Sequence, residues 1–101
     1  MTQVAVIHTA FEDKPSTVPF VDAPEGTLIE QLEYAYRWTQ NIMDSWSLKM
    51  PEDGNDAVTV MGDISSGRGL RSTSMGDQML IGNQKYVVAA FGFETLEGEV
   101  L

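Results

Sequence analysis

The sequence predicts an α+β fold in which a mainly antiparallel sheet of four to five strands packs on one amphipathic helix. Three observations predict it. One segment, residues 28–43, repeats apolar side chains at three- and four-residue steps behind a helix-start signal. Short apolar runs at 3–9, 57–61, 78–81 and 84–93 read as strands, the last two joined by a Gly-Asn pair that suits a hairpin turn. The chain has 101 residues, which fits a single two-layer domain over 1–101.

Each element has its own warrant. Residues 3–9 (QVAVIHT) are apolar on both sides of the pleat, as a central or well-covered strand requires. Residues 12–25 contain Pro15, Pro19 and Pro24, which excludes a helix and leaves a loop or a short edge strand around Val18, Phe20 and Val21. Thr27 and Glu30 form a T-x-x-E capping box at the start of the helix. Leu28, Leu32, Ala35, Tyr36, Thr39, Ile42 and Met43 make its inner face, and Glu30, Glu33, Arg37, Gln40 and Asn41 its outer one. Glu33 and Arg37 stand four apart in the favourable order for a helical ion pair. A turn is expected at 51–56 (PEDGND) and irregular chain at 63–74. In the hairpin, Gly82-Asn83 suits a two-residue turn of either primed type. The second arm, apolar on both faces near 87–91, reads as the central strand. The tail from Glu94, with Glu97 and Glu99, is expected to fray or cap the sheet. Trp38, Trp46, Tyr34, Tyr36, Phe20, Phe91 and Phe93 supply the core's bulk. A core this small makes a homodimer a fair expectation.

Charge and composition then exclude function classes. Six Lys+Arg face 15 Asp+Glu, a net charge of −9. Phosphates and anionic lipid headgroups are repelled by such a surface, so direct nucleic-acid binding and membrane docking are not expected. A basic protein surface is attracted. With no Cys there is no thiolate metal site and no Cys nucleophile, and a single His excludes a multi-His metal site. No apolar run is long enough to span a bilayer, and no basic segment leads into an apolar core at the N-terminus. A cytoplasmic protein without a cofactor is expected.

Few residues suggest chemistry. His8 sits in an apolar strand, where a lone His is ordinarily a packed, hydrogen-bonded side chain. A Ser-His-Asp device would need Ser65, Ser66, Ser72 or Ser74 beside it, and no G-x-S-x-G elbow supports one. Glu52, Asp53, Asn55 and Asp56 share a loop without the calcium-loop spacing. Residues 67–74 (GRGLRSTS) form the one stretch where an anion would be welcome. Arg68 and Arg71 offer guanidinium forks, Ser72 and Ser74 hydroxyls, and the glycines close backbone approach, although the P-loop order is missing. The competing reading is a connector whose arginines pair with nearby acids. For a protein partner, the carboxylates Glu30, Glu33 and Asp44 on and after the helix mark the candidate face, with Trp38 or Trp46 as its aromatic anchor.

Residues 71–77 (RSTSMGD) through Tyr86, with 91–94 (FGFE), resemble the R-S-x-S-x-G/S-D, G-x-x-Y-x-V and G-F box of YodL-like domains and related small proteins, which occur on phages, plasmids and other mobile elements. Residues 36–42 (YRWTQNI) and Ser45-Trp46-Ser47 resemble segments of short phage-type proteins. The resemblance implies a viral or mobile-element protein acting in the host cytoplasm, and it implies no mechanism. The sequence therefore predicts a non-enzymatic binder that modulates a host or viral macromolecule, for instance a counter-defence inhibitor of a basic nucleic-acid-handling protein. Two alternatives stand beside it: a phosphate- or nucleotide-binding domain built on residues 67–74, and a minor virion or assembly component.

Overall fold

The computed structural model describes residues 1–49 and 52–101. Strands β1 (Thr2–His8) and β2 (Ser16–Ala23) precede helix α1 (Leu28–Arg37). Strands β3 (Val58–Val60), β4 (Gln78–Ile81), β5 (Gln84–Val88) and β6 (Phe93–Thr95) follow it. They form one sheet of six strands in the order β3-β2-β1-β4-β5-β6, with every neighbouring pair antiparallel. The α+β class holds, with a larger sheet and a shorter helix than the sequence suggests.

The extra strands have local causes. The prolines at 15–24 point to a loop or an edge strand, yet β2 is eight residues long and lies inside the sheet. Pro19 is accommodated by a bulge. Between the Ala5–Phe20 and Ile7–Thr17 pairs, β1 contributes Val6 alone and β2 contributes both Val18 and Pro19. The ladder is already interrupted there, so the missing proline N–H leaves no gap in it. The expected long arm 84–93 is split in two. Ala89 N–H donates to the Gly92 carbonyl (3.0 Å), and Gly92 takes a φ of 76° that favours glycine. The arm is therefore β5, a turn and β6, and the centre of the sheet is shared by β1 and β4. The tail caps the β6 edge: Val100 bridges Glu94, and Leu101 N–H donates to the Phe93 carbonyl at 3.1 Å. The Gly82-Asn83 turn forms as expected. Gly82 has a φ of 60° and Asn83 is not left-handed, which selects type II′ over type I′.

The helix begins where expected. Thr27 Oγ1 accepts from Glu30 N–H, and Glu30 Oε1 accepts from Thr27 N–H at 2.8 Å. It stops at Arg37 rather than Met43 because the amides beyond find other acceptors. Asn41 N–H donates to Ser72 Oγ, and Ile42, Met43 and Asp44 all donate to Asp53 Oδ2 at 2.7–2.9 Å. Ile42 and Met43, placed on the inner face by their spacing, are exposed. The turn expected at 51–56 starts at Pro51, outside the described residues.

Paired residues share a face of the sheet. Val4, Val6, Val21, Ala23, Val58, Met79, Val88 and Phe93 pack against Leu32 and Ala35 of α1 and against Trp46 from the following loop. Phe91 is not among them: it is 92% exposed at the β5–β6 turn.

Candidate functional site

The most heavily bonded polar cluster joins the end of β1 to residues 71–77. Asp77 is fully buried. Its Oδ1 accepts from the Thr9 and Ala10 amides at 2.9 Å, and its Oδ2 accepts from the Ser74 amide at 2.8 Å. Arg71 closes on both oxygens, Nη1 to Oδ2 at 2.7 Å and Nη2 to Oδ1 at 2.8 Å. Its other donors go to Glu12 Oε1 and Oε2 and to the Ser72 carbonyl. A guanidinium has five N–H groups, and all five are used. These bonds hold the Asp77 carboxyl far below the usual carboxylate range and the Arg71 guanidinium above its own, despite the burial that opposes both.

In this arrangement Arg71, one of the guanidinium forks expected to receive an anion in 67–74, is already engaged. An anion approaching Arg71 meets two carboxylates already in place. Ser72 Oγ accepts from Asn41 N–H, and Ser74 Oγ donates to the Ser72 carbonyl. Arg68 is exposed. Gly69 serves packing, since a Cβ there would lie 2.5 Å from Ser45 Oγ and 2.8 Å from Ser47 Oγ. The connector reading, with arginine paired to nearby acids, describes Arg71.

His8 belongs to the same cluster and is buried. Thr39 Oγ1 donates to the Ala35 carbonyl (2.8 Å), and Thr73 Oγ1 donates to Thr39 Oγ1 (2.8 Å). Both hydroxyl hydrogens are spent, so His8 Nε2, 3.0 Å from Thr73 Oγ1, carries the proton in that bond. No serine is its partner. Burial lowers the His8 pKa from 6.5, and Asp77, with Oδ2 3.9 Å from Nε2, opposes the shift. The unfolded chain therefore binds the extra proton more readily, and stability falls as pH drops below 6.5 toward the folded-state pKa. Urea midpoints measured across that interval should fall more steeply for the wild type than for His8→Gln. Equal slopes would refute this linkage.

Asp53 forms a second centre. It is buried, accepts the three amides after the helix, and has Oδ1 3.3 Å from Arg37 Nη1. Those amides, with Arg37, hold its pKa below the ordinary value. Asn55 bonds the Tyr34 hydroxyl and the Ala57 amide. Asp53 and Asn55 thus turn to different partners while Glu52 and Asp56 are exposed, and among the described residues no group of three His, Asp or Glu converges to hold a metal.

No family model matches the chain, and no curated protein or solved structure matches it. The site must be judged on its own residues. Among the described residues no helix is long and apolar enough to cross a membrane.

The residues expected to form a protein-binding face are dispersed. Glu30 is exposed but engaged in the capping box. Asp44 is half-buried beside Asp53. Trp46 cannot anchor a partner: it is 1% exposed, with its indole N–H donating to the Arg71 carbonyl at 2.9 Å. Trp38 is half-buried, with Tyr34 beside it and the Arg37 guanidinium 4.1 Å from its ring centroid. Glu33 alone lies on an open concavity. A cleft of about 440 Å³ runs between α1 and the β5–β6 turn, lined by Glu33, Tyr36, Val88, Ala89, Gly92 and Phe93. Phe91 occupies the same turn. Reading the sequence missed it because an apolar run is counted as core unless a turn is seen inside it. Gly92 was the available signal.

Proposed function

We propose that this chain acts by binding, presenting an acidic surface to a basic protein and blocking that protein's contact with nucleic acid. The ion pairing supports this most directly. Glu12, Asp53 and Asp77 pair with Arg71 and Arg37. That leaves twelve of the 15 carboxylates with no ion pair among the described residues. Asp13, Asp22, Glu25, Glu33, Glu52, Asp56, Asp63, Glu97 and Glu99 are all exposed. Against these stand four exposed cations, Lys14, Lys49, Arg68 and Lys85, so acids prevail on the surface. A surface with such an excess attracts an oppositely charged partner over several ångströms and speeds encounter. The polar groups with nucleophilic or acid–base chemistry in the 8–77 cluster are meanwhile committed to internal bonds. The resemblance of residues 71–77 and 91–94 to a mobile-element box makes a bacterial host protein the partner to seek.

The test is affinity capture from bacterial lysate at low salt, then DNA competition with the purified partner. A basic nucleic-acid-binding protein should be recovered, be released as salt rises, and lose its DNA when this chain is added in equal amount. Recovery of no basic protein, or a partner that holds DNA undisturbed, would overturn the reading.

A further inference from the structure

We propose that the cleft between α1 and the β5–β6 turn receives an arginine side chain of the basic partner, with Phe91 as the apolar anchor beside it. This rests on the binding function above and specifies where the contact is made.

The argument begins with an ion pair that does not form. Glu33 and Arg37 have the spacing of a helical salt bridge, but Arg37 turns away to Asp53 and over the Trp38 ring. Among the described residues Glu33 has no ion pair and no side-chain hydrogen bond. Its carboxylate stands at the cleft with an aromatic wall nearby. Tyr36 lines the same space, and its ring is fixed edge-on to Phe93 with centroids 6.3 Å apart.

A carboxylate beside a ring is what a guanidinium prefers. The planar cation pairs with the one, stacks on the other and sheds water more readily than an ammonium. The protein does this with its own Arg71, which is 2.8 Å from Glu12 and 4.9 Å from the centroid of Phe11. The cleft offers the same two surfaces without a cation of its own. Its volume, about 440 Å³, lies in the range of sites that take a discrete group. Phe91, 92% exposed between lining residues Ala90 and Gly92, adds an apolar contact at the rim. Aromatic residues at such positions dominate binding energy when a partner covers them.

The test is an NMR titration of the isotopically labelled chain with a capped peptide of alternating arginine and leucine, and with its lysine counterpart. Amide shifts should saturate at Glu33, Tyr36 and residues 89–93, and the arginine peptide should bind more tightly. Glu33→Gln and Phe91→Ala should each weaken binding about tenfold. Glu97→Gln, which removes the same charge from an exposed site outside the cleft, should change it less than about twofold. Both cleft variants alter exposed side chains, and their melting temperatures should match the wild type. Equal weakening by Glu33→Gln and Glu97→Gln, or shifts spread over the whole acidic surface, would refute the cleft. The same holds if the captured partner binds Glu33→Gln and Phe91→Ala like the wild type, and in that case the general binding function stands. If no basic partner is captured and neither peptide binds, both fall.

Discussion

Asp77→Asn should cost about 3–5 kcal/mol of stability, read as a lower urea midpoint at unchanged slope. Asn keeps the shape of Asp and removes the charge. In its place would stand one oxygen acceptor and one NH₂ donor. Five donors surround the site: three backbone amides and two Arg71 nitrogens. The new NH₂ must therefore face N–H groups that had an acceptor, and it leaves the guanidinium with Glu12 as its one carboxylate partner beside the Ser72 carbonyl. A domain of this size has roughly 5–15 kcal/mol in total, so the loss approaches the point of unfolding. The effect carries a pH signature. The folded-state pKa of Asp77 is depressed, so its stabilisation is full above the unfolded value near 3.8 and is lost as pH falls through the folded value. Asp77→Asn should be unstable at neutral pH and show a shallower acid limb below about pH 4 than the wild type. Asp22→Asn, on an exposed strand position, should stay within about 0.5 kcal/mol. A neutral-pH loss below about 1 kcal/mol for Asp77→Asn would show that the cluster is not what holds residues 71–77 to β1.

The importance of Asp77 is hard to read from the sequence for a definable reason. Gly76-Asp77 has the look of a turn, and locally it is one: Asp77 N–H donates to the Ser74 carbonyl at 3.0 Å. Its decisive partners, the amides of Thr9 and Ala10, lie more than sixty residues away in sequence. Features closed within four residues were legible, among them the Thr27–Glu30 capping box and the Gly82-Asn83 turn. The end of α1 was not legible, because amides 41–44 are captured by Ser72 and Asp53 rather than by any breaker in the helix itself. The same long-range competition decided the arginines. Arg37 left Glu33 for Asp53, and Arg71 closed on Glu12 and Asp77. On the candidate surface, Glu33 was marked correctly as exposed. Trp46, open in the sequence to both a core and an anchor reading, is core, since aromatic identity alone does not separate the two.

Trp46→Ala should be nearly as damaging, at about 3–5 kcal/mol. The side chain is the largest of those fully buried, packed in the main core and edge-on to the His8 ring with centroids 6.5 Å apart. Its removal leaves a cavity where the irregular segments 39–48 and 70–74 meet, and neither segment has a backbone ladder to close it. Trp46→Phe separates the packing from the polar contact. It keeps a ring and orphans the Arg71 carbonyl that accepts the indole N–H, for about 1–3 kcal/mol. Trp46 holds Arg71 by its backbone and Asp77 holds it by its side chain. Trp46→Phe and Asp77→Asn should therefore be non-additive by about 0.5–3 kcal/mol in a double-mutant cycle. Binding supplies the sharper contrast. A buried tryptophan acts on a partner only through the folded fraction, so Trp46→Phe should bind the arginine peptide like the wild type wherever it remains folded. Phe91→Ala should do the reverse, keeping its melting temperature and losing affinity. If Trp46→Phe lost affinity while fully folded, the contact would have to lie on the loop that Trp46 supports, and the exposed turn at Phe91 would no longer explain it.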